Sequence, residues 1–103
     1  MTDAELKAWW PEMGDVVTDL RRIDRSDVAD LFVDAIHAGF CSSEVLGGIG
    51  IVLRDHYELR ARLSDHAMIA WDKVRADVYR AFPGLQLSHW LYRLAKFFRV
   101  SRK

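Results

Sequence analysis

The sequence predicts an all-α fold, a compact bundle of five or six short antiparallel helices. Apolar residues recur three or four positions apart along most of the chain, and no stretch sustains the apolar/polar alternation of a strand. Short loops between these segments favour antiparallel neighbours. With 103 residues, 50% of them hydrophobic, the chain is long enough to enclose one core. We therefore predict a single helical domain spanning residues 1–103.

The first two helices are predicted on either side of Pro11. Thr2 and Glu5 have the spacing of a capping box, in which two side chains and two backbone N–H groups bond reciprocally at a helix start. Pro11 either ends this helix or occupies the first turn of the next one, where its missing N–H costs little. The second helix has one apolar face, formed by Met13, Val16, Val17, Leu20 and Ile23. We expect it to end around Asp24 or Arg25.

Serines mark the predicted starts of the next three helices. Ser26, Ser42 and Ser64 are predicted N-caps, because a hydroxyl can accept a hydrogen bond from an unpaired N–H of the first turn. Gly39 is expected to close the third helix in the left-handed conformation. The helix after Ser64 has the clearest amphipathic pattern and is expected to end at the Pro-Gly pair 83–84.

Two segments are harder to interpret from the pattern. Residues 56–64 either separate the fourth helix from the next one or belong to one long helix that runs through them. The last part of the chain is predicted as a helix from Leu85 or Ser88 to Val100.

Composition limits the classes of protein. The longest apolar runs are far shorter than the roughly 20 residues of a membrane-spanning helix, so we predict that the chain is not an integral membrane protein. One cysteine, Cys41, cannot form an internal disulfide, and no signal-peptide pattern opens the sequence. We therefore expect a cytoplasmic location.

Motifs of phosphate and metal binding are incomplete. Gly47, Gly48 and Gly50 lack the preceding strand and the Lys-Ser/Thr ending of a phosphate-binding loop. Inside a helix, each costs about 1 kcal/mol of helix propensity and is better explained by close approach of a neighbouring helix. The four histidines, at positions 37, 56, 66 and 89, lack metal-ligand spacing. We predict surface histidines, no metal and no cofactor.

Candidate catalytic groups are similarly sparse. Cys41 follows His37 by four residues, but Gly39 interrupts the helix between them, and we expect Cys41 to pack as a small apolar residue. Trp9, Trp10 and Trp71 could line the pocket of a small enzyme or ligand-binding bundle. Aromatic residues at helical spacing are more often core, and no acid, base and nucleophile set accompanies them. We predict that the chain is not an enzyme.

The formal net charge of zero conceals a gradient along the chain. Residues 1–40 contain nine acids and four bases, whereas residues 85–103 contain five bases and no acid. Six of the acids form what we call the acidic rows, one on each of the second and third helices: Glu12, Asp15 and Asp19, then Asp27, Asp30 and Asp34. Like charges at this spacing repel by roughly a few tenths of a kcal/mol per pair. The rows are interpreted either as solvated faces, opposite the apolar stripe, or as a docking surface for a basic partner.

A basic surface is predicted at the other end of the chain. Arg93, Lys96 and Arg99 are interleaved with aromatic residues, a pattern found where proteins bind nucleic acid or anionic membranes. Lys and Arg are also favoured at a helix C-terminus by the helix dipole alone.

In size, helical make-up and acidic surface, the chain resembles the immunity proteins of bacterial toxin-immunity pairs, of the contact-dependent inhibition or nuclease bacteriocin type. The resemblance is carried by the acidic rows and by the helix opening Cys41-Ser42-Ser43-Glu44-Val45-Leu46-Gly47. It implies one-to-one binding of a basic toxin domain, such as a nuclease, whose active site the carboxylates would occlude. The alternative is an accessory protein that binds nucleic acid or a membrane surface through its basic C-terminal helix. An exposed Trp9 or Trp10 would favour a homodimer.

Overall fold

Residues 1–84, the part of the chain that the computed structural model describes, fold into five α-helices and one 3-10 helix. The helices are α1 (Asp3–Trp9), α2 (Pro11–Arg22), α3 (Ser26–Ala38), α4 (Ser42–Asp55), the 3-10 helix (Tyr57–Arg62) and α5 (Asp65–Ala81). No strand occurs within this range. The all-α prediction is therefore confirmed, and the helix predicted over residues 85–100 lies outside the described residues.

Three helix starts follow the predicted chemistry. The Thr2 hydroxyl accepts the Glu5 N–H at 3.1 Å, and the Glu5 carboxylate accepts the Thr2 N–H at 3.3 Å, which completes the capping box. Pro11 is the first residue of α2. Ser64 caps α5 by accepting the Ala67 N–H at 3.3 Å.

The other two predicted caps are wrong by one position. Ser26 and Ser42 are the first residues of α3 and α4, and the N-cap positions belong to Arg25 and Cys41. Neither of these N-cap side chains makes a capping hydrogen bond to the backbone of its helix.

The α2 helix lies at the centre of the fold and packs against α1, α3 and α5. Its predicted apolar face is buried, with Met13, Val16, Val17 and Leu20 fully enclosed, while Ile23 packs against the edge of the core. The two largest fully buried side chains are Phe32 of α3 and Trp71 of α5, and their rings meet edge to face with centroids 5.9 Å apart.

Two glycines are required by close helix packing. A Cβ on Gly14 of α2 would lie only 2.7 Å from Lys7 Cβ, so α1 packs directly on the α2 backbone. A Cβ on Gly48 of α4 would lie 3.1 Å from Ala35 Cβ on α3. The close-packing interpretation of the α4 glycines therefore holds at Gly48, whereas at Gly47 the nearest atoms are at an ordinary 3.9 Å, on Phe82.

The end of α2 adopts the turn that the sequence had suggested for the end of α3. The Arg25 N–H donates to Leu20 O at 2.8 Å and the Asp24 N–H to Arg21 O at 3.1 Å, the two bonds of a Schellman motif. Asp24 accordingly has φ of 66°, in the left-handed region. The prediction of a left-handed Gly39 was wrong: Gly39 is extended, with φ of −81° and ψ of 136°. A Cβ there would meet Val45 Cγ2 at 2.6 Å, so close approach explains this glycine.

The segment after α4 does not continue that helix. The 3-10 helix Tyr57–Arg62 separates α4 from α5, so the interpretation as one long helix was wrong. Leu59 and Leu63 anchor it in the core. Arg60 forms two bonds with Asp72 of α5, at 2.8 and 2.7 Å. Among the described helices, none combines the length and apolarity needed to cross a membrane.

Replacing Asp24 by glycine should raise the free energy of unfolding by about 1 kcal/mol, because glycine enters the left-handed region without the Cβ clash of an L-residue. Urea unfolding would measure the change. Asp24→Ala is the control, since it removes the same charge but keeps a Cβ. An equal gain in stability for both variants would show that the gain comes from removal of the charge and not from the backbone conformation.

Adding a methyl group at Gly14 should destabilise the fold. Although alanine is the better helix former, the Gly14→Ala methyl must displace the Lys7 backbone, and overpacking of this kind costs about 1–3 kcal/mol. The matched control is Gly47→Ala, which is also inside a helix but whose methyl group would make only an ordinary van der Waals contact with Phe82. That variant should gain up to about 1 kcal/mol from helix propensity. Thermal unfolding of the two variants would show opposite signs, and a gain at both positions would disprove the close contact.

Candidate partner-binding surface

The two acidic rows differ in their access to solvent. On α3, the side chains of Asp27 and Asp30 are 67% and 62% exposed, and Asp34 is also exposed. On α2, Asp19 is buried at 8% relative exposure, and Asp15 and Glu12 are partly buried. The prediction that both rows face solvent was wrong for α2, because this helix is covered by three others.

Asp19 fastens α5 to α2. Its carboxylate accepts the Ser64 backbone N–H at 2.8 Å, immediately before α5, and pairs with Arg22 at 2.6 and 3.2 Å. The hydrogen bonds from Arg22, and after them those from Ser64, hold the pKa of Asp19 below its usual value despite the opposing effect of burial. Asp19 therefore supports the fold and is not available to a partner.

The remaining acids of the α2 row have mixed surroundings. An oxygen of the Asp15 carboxylate lies 2.8 Å from His66 Nε2 on α5, and the other lies 3.5 Å from Lys7 Nζ on α1. The carboxylate of Glu12 has no hydrogen bond or ion pair with any residue in the range 1–84. Of the α2 row, only Glu12 thus keeps an unpaired carboxylate within this range.

The α3 row is exposed and partly paired with arginines. Arg25 binds Asp27 through two 3.1 Å bonds, and these bonds are the main reason that the pKa of Asp27 is lowered. Arg21 binds Asp30 at 2.9 Å and is shared with Asp3 at 2.6 Å.

The last acid of that row is unpaired. The carboxylate of Asp34 has no ion pair or hydrogen bond within the described part of the chain. Because the pairs formed by Asp27 and Asp30 lie on the surface, where ion pairs contribute little to stability, a partner can replace them at small cost.

An exposed leucine lies within the α3 row. Leu31 is 43% exposed, and it stands four residues after Asp27, one after Asp30 and three before Asp34. Residues three and four apart share one side of a helix. We call these four residues the acidic face of α3: an exposed apolar side chain flanked by Asp27 and Asp34, with Asp30 further round the helix. The sequence indicated the carboxylates, whereas the exposure of Leu31 is known from the structure alone.

A second surface was missed by the sequence interpretation. An open groove of about 700 Å³ lies between the end of α1, the start of α4 and the end of α5. We call it the aromatic groove; its principal lining residues are Trp9, Trp10, Phe40, Val45 and Leu46, with Asp77 and Arg80 on α5. The available signal was Phe40, an aromatic residue between Gly39 and Cys41 that belongs to no apolar stripe.

The groove corrects two expectations. Trp9 and Trp10 line it, whereas Trp71 is buried in the core, so the three tryptophans do not share a pocket. Cys41, expected to pack as a small apolar residue, is exposed at the groove.

Two other predictions concern metal ions and a basic surface. Within the described residues, no group of three or more His, Cys, Asp or Glu side chains is placed to hold a metal ion. Arg93, Lys96 and Arg99, the predicted basic surface, lie outside the described residues.

Loss of the Asp19 charge should weaken the fold at neutral pH. The Ser64 N–H, whose bond to Asp19 is partly buried, and the Arg22 guanidinium lose an ionised acceptor in Asp19→Asn, a change worth about 1–3 kcal/mol. The urea midpoint should fall accordingly, and Asp34→Asn, which removes an exposed unpaired carboxylate, should leave it nearly unchanged. Similar midpoints for the two variants would contradict the role given to Asp19.

Acid should remove the same contribution. Since the folded-state pKa of Asp19 lies below the unfolded value, near 3.8, its stabilisation is present above that value and is lost as pH falls through the folded pKa. The difference in midpoint between wild type and Asp19→Asn should therefore shrink between neutral pH and about pH 3. A difference that stays constant over this range would contradict the assignment.

Comparison of the chain with protein-family models, with curated proteins and with solved structures found no match. Its function is therefore inferred from its own residues.

Proposed function

We propose that this chain is a non-enzymatic, cytoplasmic protein-binding domain of the immunity type, which neutralises a basic toxin by covering its active site in a one-to-one complex. The observation that carries the proposal is the acidic face of α3, where Leu31 is exposed between Asp27 and Asp34, one turn away on either side, and Asp30 is exposed on the same helix. A central apolar side chain with a charged rim is the arrangement of many specific protein interfaces.

The composition of that face supports a partner of positive charge. Its three ionisable residues are all acidic, and residues 1–84 contain fifteen acids and ten bases. A field of one sign accelerates encounter with an oppositely charged protein and fixes its orientation. Asp34 contributes no ion pair to the fold within the described range, so its charge is left for a partner.

The chemistry of a nuclease toxin fits this surface. Such an enzyme holds phosphates in a basic groove, and the carboxylates of Asp27, Asp30 and Asp34 carry the charge that those phosphates would carry. A rigid helix presents them at intervals of three and four residues, on one side. Inhibition would follow from occupation of the substrate groove, without any covalent step.

The test begins with affinity capture of the tagged full chain from its native cells at moderate salt. One stoichiometric basic protein, inhibited in its own activity while bound, is the expected partner. Recovery of nucleic acid or membrane in its place would contradict the proposal and move the function to the basic segment with Arg93, Lys96 and Arg99.

Purified partner then allows the surface to be tested by residue. Asp30→Asn with Asp34→Asn should raise the Kd by at least about 30-fold, since removing desolvated interface carboxylates typically costs 2–5 kcal/mol. The matched control is Asp24→Asn with Asp65→Asn, which removes the same charge away from this face. Equal losses of affinity for the two double variants would show that net charge alone governs binding, and would contradict the proposed face.

A further inference from the structure

The aromatic groove carries more apolar exposure than the fold requires. Phe40 is 97% exposed and Trp9 is 63% exposed, and both line the groove. Trp10 stands beside Trp9 with ring centroids 6.0 Å apart, in an edge-to-face arrangement. Large aromatic side chains gain most when both faces leave water, so a patch of this kind marks a contact surface.

The groove presents a protruding group and a cavity on the same side of the molecule. Phe40 lies in the turn between α3 and α4 and projects into solvent, while Trp9, Trp10 and Leu46 form the recess next to it. A twofold axis between two copies places the projection of each copy opposite the recess of the other. In such an isologous interface, every contact occurs twice, so each favourable contact contributes twice to the free energy of association.

The charges of the groove are also self-complementary. Asp77 and Arg80 both line it, one turn apart on α5, and their side chains pair at 3.2 Å on an exposed surface. A patch with one acid and one base matches a twofold copy of itself, since each acid can meet the base of the other protomer.

We propose that the aromatic groove is the interface of a twofold homodimer, in which Phe40 of each protomer enters the groove of the other and Asp77 of each faces Arg80 of the other. This proposal concerns a different surface from the acidic face of α3 and does not depend on the proposed function. It can be tested on the purified chain alone, without any partner.

Sedimentation equilibrium of the full chain over a range of concentrations should show a mass that rises toward that of a dimer. Phe40→Ser should weaken the association at least about tenfold, as expected for a central aromatic residue of an interface. Because Phe40 is almost fully exposed, this variant should keep its thermal unfolding temperature. The matched control is Leu31→Ser, which removes an exposed apolar side chain from the acidic face and should leave the association unchanged.

Charge reversal gives a stricter test. The Asp77→Arg variant places two bases in each groove and the Arg80→Asp variant two acids, so each should be monomeric alone. An equimolar mixture of the two should associate again, as a heterodimer. The proposal is overturned if the wild type stays monomeric throughout, if Phe40→Ser and Leu31→Ser weaken association equally, or if the mixture of charge variants fails to associate.

Discussion

The enclosure of α2 by three other helices determines much of this structure. α1 packs on Gly14, where a Cβ would collide with the Lys7 backbone, and α3 and α5 cover the apolar face. With α2 surrounded in this way, Asp19 is only 8% exposed and needs hydrogen-bond partners within the fold. It obtains them from Arg22 and from the backbone N–H that precedes α5. The packing of one helix thus dictates both the glycine and the buried carboxylate.

Much of the helical framework could be predicted because it depends on local chemistry. The capping box at Thr2, the position of Pro11 and the cap at Ser64 involve groups within four residues of each other, so spacing alone predicts them. The left-handed turn was placed at Gly39 because glycine favours it, yet the Schellman motif imposes it on Asp24. Residue preference is outweighed here by the hydrogen bonds that end α2.

The candidate surface was predictable in part, for the same physical reason. The spacing of acids indicated a row on each of two helices, but spacing does not reveal which side of α2 its neighbours cover. Asp19 therefore looked like a surface residue. The aromatic groove depends on three segments that meet only in the folded chain, and Phe40 gave the single local hint. A periodic pattern along the sequence does not show how distant segments pack together.

The order of the helices also affects how the protein forms during synthesis. The hydrogen bond from Ser64 to Asp19 spans 45 residues. Together with α3, α5 covers the apolar face of α2, and α5 is the last of the described helices to be translated. At about 5–20 residues per second, a ribosome needs seconds to synthesise the chain from α2 to the end of α5. Until then, Val16, Val17 and Leu20 are not covered by α5, and Asp19 lacks the backbone donor that Ser64 supplies. The nascent chain must therefore wait in a partly open state, in which chaperone binding or aggregation competes with closure.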